Sequence, residues 1–229
     1  VPKKSPLYLP ENPRPFPFKM SATFPLPSLP MDNPLLKGRV ELGRKIFSDT
    51  RLSRDGSLSC ASCHLHGKAF TDGLAKSVGI DGRSGTRNSM PLFNLAWKNQ
   101  FFWDGRAASL RDQVTMPIES HLELDDSLEN VVAKLSAEDS YLAAFSQAYA
   151  SPEVTTEKIA LALESFLLTL TSYDSKFDRA MAGKAELSEQ EKRGLELFMT
   201  EYEPRSRQFG ADCFHCHGGP LFSDHDFHN

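Results

Sequence analysis

The cysteines of this chain occur in two short motifs that each end in a histidine. Residues 60–64 read Cys-Ala-Ser-Cys-His, and residues 213–217 read Cys-Phe-His-Cys-His. Two thiols at this spacing can each add to one vinyl group of the same porphyrin, and the histidine that follows then supplies an imidazole to the iron. The predicted sites of two covalent c-type haems are Cys60, Cys63 and His64, and Cys213, Cys216 and His217, with His64 and His217 as the iron ligands.

Two other cysteine chemistries fit parts of this pattern. Paired Cys-x-x-Cys sequences can bind one zinc ion, but the two pairs lie about 150 residues apart and zinc does not require a histidine after each pair. A thioredoxin-like redox pair needs a βαβ pattern, which neither motif has around it. The haem interpretation uses all four cysteines and both histidines, and it is preferred.

The composition narrows the class of protein. The chain has 229 residues, of which 40% are hydrophobic and 24% charged, and its net charge is −4, which is ordinary for a globular protein. No Lys/Arg cluster indicates a nucleic-acid partner. The longest apolar stretch, residues 159–170, contains Glu164 and is too short to span a bilayer. Haem attachment to such motifs takes place outside the bacterial cytoplasm, so we expect a periplasmic protein whose leader was removed before Val1.

The elements that position the motifs begin after a proline-rich segment. Residues 1–34 contain ten of the fifteen prolines, which fix φ and lack an N–H, so an extended arm is predicted. A strap on the domain surface is the preferred interpretation, and a partner-binding arm is the alternative. Asn33 is a good N-cap and Pro34 suits the first helical position, which predicts a helix that begins there.

The middle of the chain alternates between a long loop and helices. Residues 67–94 are rich in Gly, Ser, Asn and Arg and predict an ordered loop that forms a wall of a haem pocket. Ser109 is expected to cap a short helix that Pro117 ends. Helical periodicity follows at about 127–149 and 156–172. No region is rich in strands, so the predicted class is mainly α.

Several short sequences between and beside the motifs are distinctive. In chain order they are Leu42-Gly43-x-x-x-Phe47, Leu52-Ser53, Ser59 with the first motif, Arg87-Asn88, Phe102-Trp103-Asp104-Gly105-Arg106, Gln113, Pro117-Ile118 and Glu123. Together they resemble the bacterial di-haem cytochrome c peroxidase family, which includes the MauG-like proteins, from about residue 34 to residue 229. We therefore expect a proline-rich arm at 1–34 and two cytochrome c-like α-helical domains with one haem each, at 35–180 and 181–229.

The resemblance also implies roles for the haem ligands and for one tryptophan. His64 is expected to ligate the peroxide-reacting iron and His217 the electron-transfer iron. Trp103 matches the residue that carries electrons between the haems in the family. Outside the resemblance, Trp103 would be read as an ordinary core residue.

Three further side chains match residues with roles at the peroxide and calcium sites of the family. Gln113 and Glu123 match the pair that faces bound peroxide, and Asn88 matches a calcium ligand. A carboxylate can move a proton between the peroxide oxygens as a general acid–base, and an amide can orient peroxide without titrating. Calcium prefers oxygen ligands, which suits an Asn carbonyl. Without the resemblance, Glu123 would be a surface carboxylate and Asn88 a turn residue.

The sequence departs from the family pattern after the first motif. Many members have a second histidine in a Ser-x-Gly-His sequence, which blocks the peroxide-reacting iron until the other haem is reduced. The matching residues here end in Ile80, which cannot ligate iron, so we expect an open first haem. His121 is the alternative ligand at that iron. The histidines outside the motif positions are expected at the surface or behind the ligands: His66, His121, His215, His225 and His228.

Family members continue beyond the second motif with residues that supply the sixth ligand of the second iron. The resemblance therefore implies that the chain ending at Asn229 has a truncated C-terminal domain.

The resemblance leaves three functions open. The first is reduction of hydrogen peroxide to water with electrons from a small cytochrome c or copper protein. The second is a MauG-like oxidation of residues in a partner protein. The third is electron transfer without peroxide turnover, which Gln113 and Glu123 argue against. A homodimer is left open.

Overall fold

The structure is a computed structural model that describes residues 7–219 and 221–223. It is mainly helical, as predicted. The α-helices in these residues are α1 (Lys37–Phe47), α2 (Cys60–Cys63), α3 (Leu110–Gln113), α4 (Met116–Glu119), α5 (Leu128–Ser136), α6 (Asp139–Tyr149), α7 (Thr156–Leu168), α8 (Lys176–Met181) and α9 (Glu189–Met199). Two short strands, β1 (Tyr202–Glu203) and β2 (Gln208–Phe209), pair antiparallel.

The chain divides into two compact units. The first unit consists of the chain up to Phe18 together with Pro27–Thr171, and it contains α1 to α7. The second unit consists of Lys19–Leu26 together with the chain from Ser172 onward, and it contains α8, α9 and both strands. Each unit therefore contains one of the two cysteine motifs.

Helix α7 is the centre of the first unit. Its residues 158–168 are all buried, which is typical of a helix enclosed by protein on every side. Helix α1 packs closely against it at Gly43, where an added Cβ would lie 1.9 Å from the carbonyl oxygen of Ala162. Glycine at this position therefore allows the backbones of α1 and α7 to approach, and this contact supports the elements that surround the first motif.

The predicted start of the first helix was wrong. Helix α1 begins at Lys37, with Leu36 as its N-cap residue, and not after Asn33. The Asn33 side chain is buried and takes part in tertiary hydrogen bonds instead: its Nδ2 donates to Glu164 Oε2 at 2.8 Å, and its Oδ1 accepts from the Arg39 guanidinium at 2.8 Å. Asn33 lies in a bend that follows a turn, and these tertiary partners bind its side chain, so Asn33 does not cap a helix.

Pro117 lies at the start of a helix and does not end one. Ser109 caps α3 as predicted, because its side chain accepts a hydrogen bond from the Asp112 backbone N–H at 3.0 Å. Helix α3 already ends at Gln113, and Pro117 lies in the first turn of α4, where its missing N–H costs no helical hydrogen bond. The predicted helix at 127–149 is divided into α5 and α6.

The long loop after the first motif is present. Between α2 and α3 the chain forms only short 3₁₀ turns and isolated β-bridges; the turns lie at His66–Lys68, Ile80–Gly82 and Leu95–Trp97.

In the first unit, residues 14–16 run beside residues 35–37, because the Phe16 N–H donates to the Leu35 carbonyl at 2.9 Å. No helix within the described residues has both the length and the apolar character needed to cross a bilayer.

Candidate haem site

Helix α2 is a single turn that places the two thiols of the first motif on one side. Ser59 precedes it, and its N–H donates to the Ser62 hydroxyl at 3.0 Å. Cys60 and Cys63 are three residues apart, so their side chains lie on neighbouring positions of one helix face. Burial raises the pKa of the Cys60 thiol to about 12. Because both sulfurs lie on one helix face, they are positioned to bind one ligand together.

The orientation of His64 leaves one imidazole nitrogen available. The His64 N–H donates to the Cys60 carbonyl at 3.0 Å, which closes the helical turn. The ring Nδ1 lies 2.8 Å from the carbonyl oxygen of Phe70, so Nδ1 carries the proton and donates it. Nε2 then carries the lone pair, the arrangement found in metal-binding histidines. Burial lowers the pKa of His64, which favours the neutral ring that a metal requires.

A cavity of about 550 Å³ adjoins α2 in the first unit. Its wall includes every site residue that the sequence predicted in this unit: Cys60, Cys63, His64, Asn88, Trp103, Gln113 and Glu123. Apolar side chains, among them Phe47 and Leu163, contribute much of the remaining wall, together with charged residues such as Arg87 and Arg106. The volume lies within the roughly 300–1,000 Å³ range of small-molecule and cofactor pockets. A largely apolar wall with two thiols and one imidazole fits a covalently attached porphyrin.

Gln113 and Glu123 reach this cavity from different elements. Gln113 is the last residue of α3, and Glu123 lies in the loop 120–126, where its N–H donates to the Ser120 carbonyl at 3.0 Å. Glu123 keeps access to solvent through the cavity. The protein atoms around its carboxyl displace water and raise its pKa, although the Ser120 hydroxyl and the charge of Arg106 act in the opposite direction. Glu123 and Gln113 therefore bring a titratable carboxyl and a neutral amide to the same cavity.

The turn Phe102–Arg106 presents Trp103 at the cavity. The Trp103 indole N–H donates to the Asn88 carbonyl at 2.9 Å, and about half of the residue remains exposed. The Asp104 carboxylate stabilises the turn because it accepts from Arg87 at 3.0 Å and from Arg106 at 2.9 Å. The indole is thus held by a backbone contact and keeps one face open.

The side chain of the predicted calcium ligand, Asn88, already has a hydrogen-bond partner. The Asn88 Nδ2 donates to the Leu74 carbonyl. Residues 7–219 and 221–223 contain no group of three or more His, Cys, Asp or Glu side chains that could hold a metal ion. A calcium ion at Asn88 would therefore depend on amide and backbone oxygens.

Neither Ile80 nor His121 belongs to the cavity wall. Ile80 is 1% exposed and packs inside the protein. The His121 side chain is 86% exposed, and its Nδ1 hydrogen-bonds to Asp125 Oδ1 at 2.5 Å. His121 is therefore a surface residue with a carboxylate partner, and this position does not favour it as the alternative iron ligand.

The cavity also contains a cation that the sequence analysis missed. Lys98 contributes to the wall, and burial lowers the pKa of its ammonium group. A single lysine outside any motif gives no sequence signal, and only its position after the 3₁₀ turn Leu95–Trp97 brings it to the cavity.

The second motif has backbone geometry like that of the first. Cys213–His215 form a 3₁₀ turn, and the His217 N–H donates to the Cys213 carbonyl at 2.9 Å. The His217 Nδ1 lies 3.3 Å from the Phe222 carbonyl oxygen, which again leaves Nε2 free. His66 and His215 are exposed, and His225 and His228 lie outside the described residues.

Comparison with known proteins gives close relatives over most of the chain. The chain is 38% identical to methylamine utilization protein MauG of Methylorubrum extorquens over 202 residues, which are 87% of this chain and 55% of that protein. It is 36% identical to cytochrome c551 peroxidase of Pseudomonas aeruginosa over 189 residues, which are 81% of this chain and 52% of that protein. The chain therefore spans slightly more than half the length of these relatives.

A solved structure and a family model indicate the same family as these relatives. The crystal structure of a MauG-like protein associated with microbial copper homeostasis superposes with a TM-score of 0.81 and 30% identity, covering 93% of this chain and 62% of that chain. The family model described as di-haem cytochrome c peroxidase matches residues 37–186. This match covers more than half of the sequence and includes the first motif and the whole cavity wall, and the chain therefore belongs to the di-haem cytochrome c peroxidase family.

Proposed function

We propose that this protein reduces hydrogen peroxide to water with electrons from a small cytochrome c or copper protein in the periplasm. The observation that carries the proposal is the convergence on one cavity of the first cysteine motif with Gln113, Glu123 and Trp103. Haem-binding groups and groups suited to peroxide chemistry thus share one site.

The two motifs attach one haem each in this proposal. Cys60 and Cys63 form thioethers to the first haem, and His64 offers Nε2 to its iron. Cys213, Cys216 and His217 do the same for the second haem. The corresponding domains are 35–180, which reacts with peroxide, and 181–229, which transfers electrons. The bound haem iron supplies the site where peroxide binds and where electrons enter the O–O bond.

Glu123 moves the proton that the reaction requires. Reduction of hydrogen peroxide takes two electrons and two protons and releases two water molecules. Glu123 accepts the proton from the oxygen nearer to the iron and delivers it to the distal oxygen, which leaves as water when the O–O bond breaks. Because the surrounding protein atoms displace water and raise its pKa, Glu123 holds and releases this proton closer to neutral pH than a carboxyl with the ordinary pKa.

Gln113 and Trp103 have roles that require no titration. The Gln113 amide can donate to one peroxide oxygen and accept from the other, so it orients the molecule without changing charge. The Trp103 indole, held by its N–H bond to the Asn88 carbonyl, would pass electrons to the first haem. We also propose a calcium ion at the Asn88 side-chain oxygen, bound through hard oxygen ligands.

Replacement of Glu123 tests the proposed function. Glu123→Gln keeps the shape and removes the titrating group, so peroxide turnover by the haem-loaded protein should fall by about 10²–10⁴, the usual contribution of a positioned acid–base group. Haem content and the ferric optical spectrum should stay at parental values. Glu119→Gln is the matched control, because Glu119 ends α4 at the surface and is not part of the cavity wall. Equal turnover in the two variants would refute the role of Glu123.

A further inference from the structure

Two loops of the first unit touch each other through their backbones. Loop 77–85 follows the first motif, and loop 120–126 carries Glu123. The Ile80 N–H donates to the Glu123 carbonyl at 2.9 Å. A Cβ added at Gly79 would lie 2.0 Å from the Leu122 carbonyl oxygen, so this contact requires glycine. The position of the Glu123 backbone therefore depends on loop 77–85.

Four charged side chains connect these loops at their outer side. Asp125 Oδ2 accepts from Arg54 at 2.9 Å and from Arg83 at 3.0 Å. Asp81 Oδ2 accepts from the same two guanidinium groups, at 2.7 Å from Arg54 and 2.9 Å from Arg83. Cations and anions thus alternate in a closed ring, which we call the loop latch (Arg54, Asp81, Arg83 and Asp125).

Asp125 is the most enclosed member of the loop latch. Its side chain is 9% exposed, whereas the other three members are between 38% and 48% exposed. Its backbone has φ +51°, an uncommon conformation for a residue other than glycine. Such a conformation persists where surrounding contacts over-determine it. The contacts here are the two guanidinium groups and the His121 ring, which hydrogen-bonds to the other carboxylate oxygen at 2.5 Å.

The loop latch also reaches the segment before the first motif. The Arg54 N–H donates to the Leu124 carbonyl at 2.9 Å, and Arg83 donates to the His121 carbonyl at 2.8 Å. A single exposed ion pair contributes little to stability. In this ring each charge serves two partners. The Arg83 guanidinium also binds the His121 carbonyl, and the Arg54 backbone N–H binds the Leu124 carbonyl next to Glu123.

We propose that the loop latch positions Glu123 at the cavity, with Asp125 as its principal positioning residue. The ring holds loops 77–85 and 120–126 together, so that the motions of the two loops are coupled. Loss of the Asp125 charge frees both loops and lets Glu123 move away from the place where it meets peroxide. The effect on turnover rests on the proposed function of Glu123, whereas the coupling of the two loops does not.

Hydrogen exchange measured by mass spectrometry on the haem-loaded protein tests the coupling. Asp125→Asn keeps the shape and removes the charge, and amide exchange should increase roughly two- to fivefold in both loops, as expected when ion pairs of this kind are lost. Asp174→Asn is the control, because it removes an aspartate that pairs with Arg179 in the second unit. An increase confined to loop 120–126, or none in either loop, would overturn the proposal.

Variants of Arg83, another member of the ring, provide a second test of the coupling if Asp125→Asn binds haem poorly. Arg83→Gln should raise exchange in the same two loops, and Arg83→Lys, which retains a charge, should raise it less. The double variant Arg83→Gln/Asp125→Asn should exchange little faster than Asp125→Asn alone, because both changes break one ring. Additive increases would show that the two residues act separately and would contradict the loop latch.

The pH profile of the peroxide reaction separates positioning from simple destabilisation. Burial raises the Glu123 pKa, and Arg106 and Ser120 are the groups that oppose this. If Asp125→Asn lets Glu123 move toward water, the Glu123 pKa should fall. The decrease in rate at acidic pH (the acid limb of the profile) should then occur at lower pH, and the maximal rate should also be lower. A lower rate with an unmoved limb would oppose positioning. Coupled loops in a protein without peroxide turnover would refute the proposed function and support the loop latch.

Discussion

A backbone carbonyl determines which nitrogen each motif histidine offers to iron. At His64 the Phe70 carbonyl lies 2.8 Å from Nδ1, and at His217 the Phe222 carbonyl lies 3.3 Å from Nδ1. In both cases Nδ1–H is the donor, and Nε2 is the atom that would ligate iron in the proposed haem sites. This hydrogen bond also increases the basicity of the imidazole, which is the usual effect of such a partner on a metal-bound histidine.

The raised pKa of Glu123 makes a prediction about pH. A carboxyl that must accept a proton works only when deprotonated, so the rate should fall as pH decreases through the Glu123 pKa. Burial raises that pKa above its ordinary value, so the loss should begin at higher pH than for an exposed glutamate. Stopped-flow rates of peroxide reaction from pH 4 to pH 8 measure this decrease in rate at acidic pH, the acid limb of the profile.

The Glu123→Gln variant provides the control for that limb. Its residual rate should not depend on pH over the same range, because the titrating group has been removed. A limb of the same midpoint in Glu123→Gln would assign the titration to another group.

Trp103 is predicted to carry electrons between the haems. Its indole lines the cavity and is held by one hydrogen bond, to the Asn88 carbonyl. Trp103→Phe should leave both haem spectra nearly intact and slow the oxidation of the second haem after peroxide is added. Rapid-mixing spectroscopy measures this rate. Trp97→Phe is the matched control, since Trp97 packs against Phe18 and is not part of the cavity wall. A parental rate in Trp103→Phe would show that the indole only packs.

Local spacing explains which site residues could be predicted from the sequence. Cys60, Cys63 and His64 follow from one helical turn, and Glu123 was found through the family resemblance. Lys98 and Asp125 were missed because their significance comes from contacts between residues far apart in sequence, such as the ion pair of Asp125 with Arg83. A lone lysine or an aspartate in an acidic stretch has no local pattern that indicates such a contact.

At the level of elements, the structure changes the expectation for Ile80. Its side chain is buried and is not part of the cavity wall, so a histidine there cannot reach the iron unless loop 77–85 moves. We therefore predict that Ile80→His leaves the spectrum of the first haem unchanged. Burial of an imidazole without a hydrogen-bond partner should cost about 1–3 kcal/mol, which lowers Tm by several degrees for a chain of this size.

Two measurements check the Ile80 prediction. Optical and EPR spectra of the ferric protein report the spin state of the first haem, and thermal unfolding reports the stability. Ile80→Val, which keeps an apolar side chain, should cost only about 0.5–1.5 kcal/mol. A new low-spin bis-histidine signal in Ile80→His would show that the loop moves readily and that the sequence-based expectation was correct.

The elements themselves were predicted with uneven success for physical reasons. Helix α7 was recognised because a run of apolar residues at helical spacing is a local signal. The start of α1 was misplaced because Asn33 has buried partners, Arg39 and Glu164, that lie on other parts of the fold. The Asp81-Gly82 turn was overlooked, although Asp-Gly is a strong signal for a tight turn and both residues have positive φ.

At the level of the whole molecule, each compact unit contains one cysteine motif in which the histidine N–H donates to the carbonyl of the first cysteine. The first motif forms an α-helical turn and the second a 3₁₀ turn. The family match covers the first motif, and the second lies beyond residue 186. The number of haems in this chain therefore depends on whether the second motif, with its exposed Cys216 and His217, attaches one.

Removal of one cysteine pair at a time tests this number. The parent should exceed its polypeptide mass by two haems and keep its haem absorbance through acid–acetone extraction, because thioether bonds survive denaturation. Cys60→Ser/Cys63→Ser and Cys213→Ser/Cys216→Ser should each retain one covalent haem, because the motifs lie in different units. The two variants serve as controls for each other in intact-protein mass spectrometry. A colourless parent that contains zinc would contradict haem attachment, and a parent with a single haem that only Cys60→Ser/Cys63→Ser loses would restrict it to the first motif.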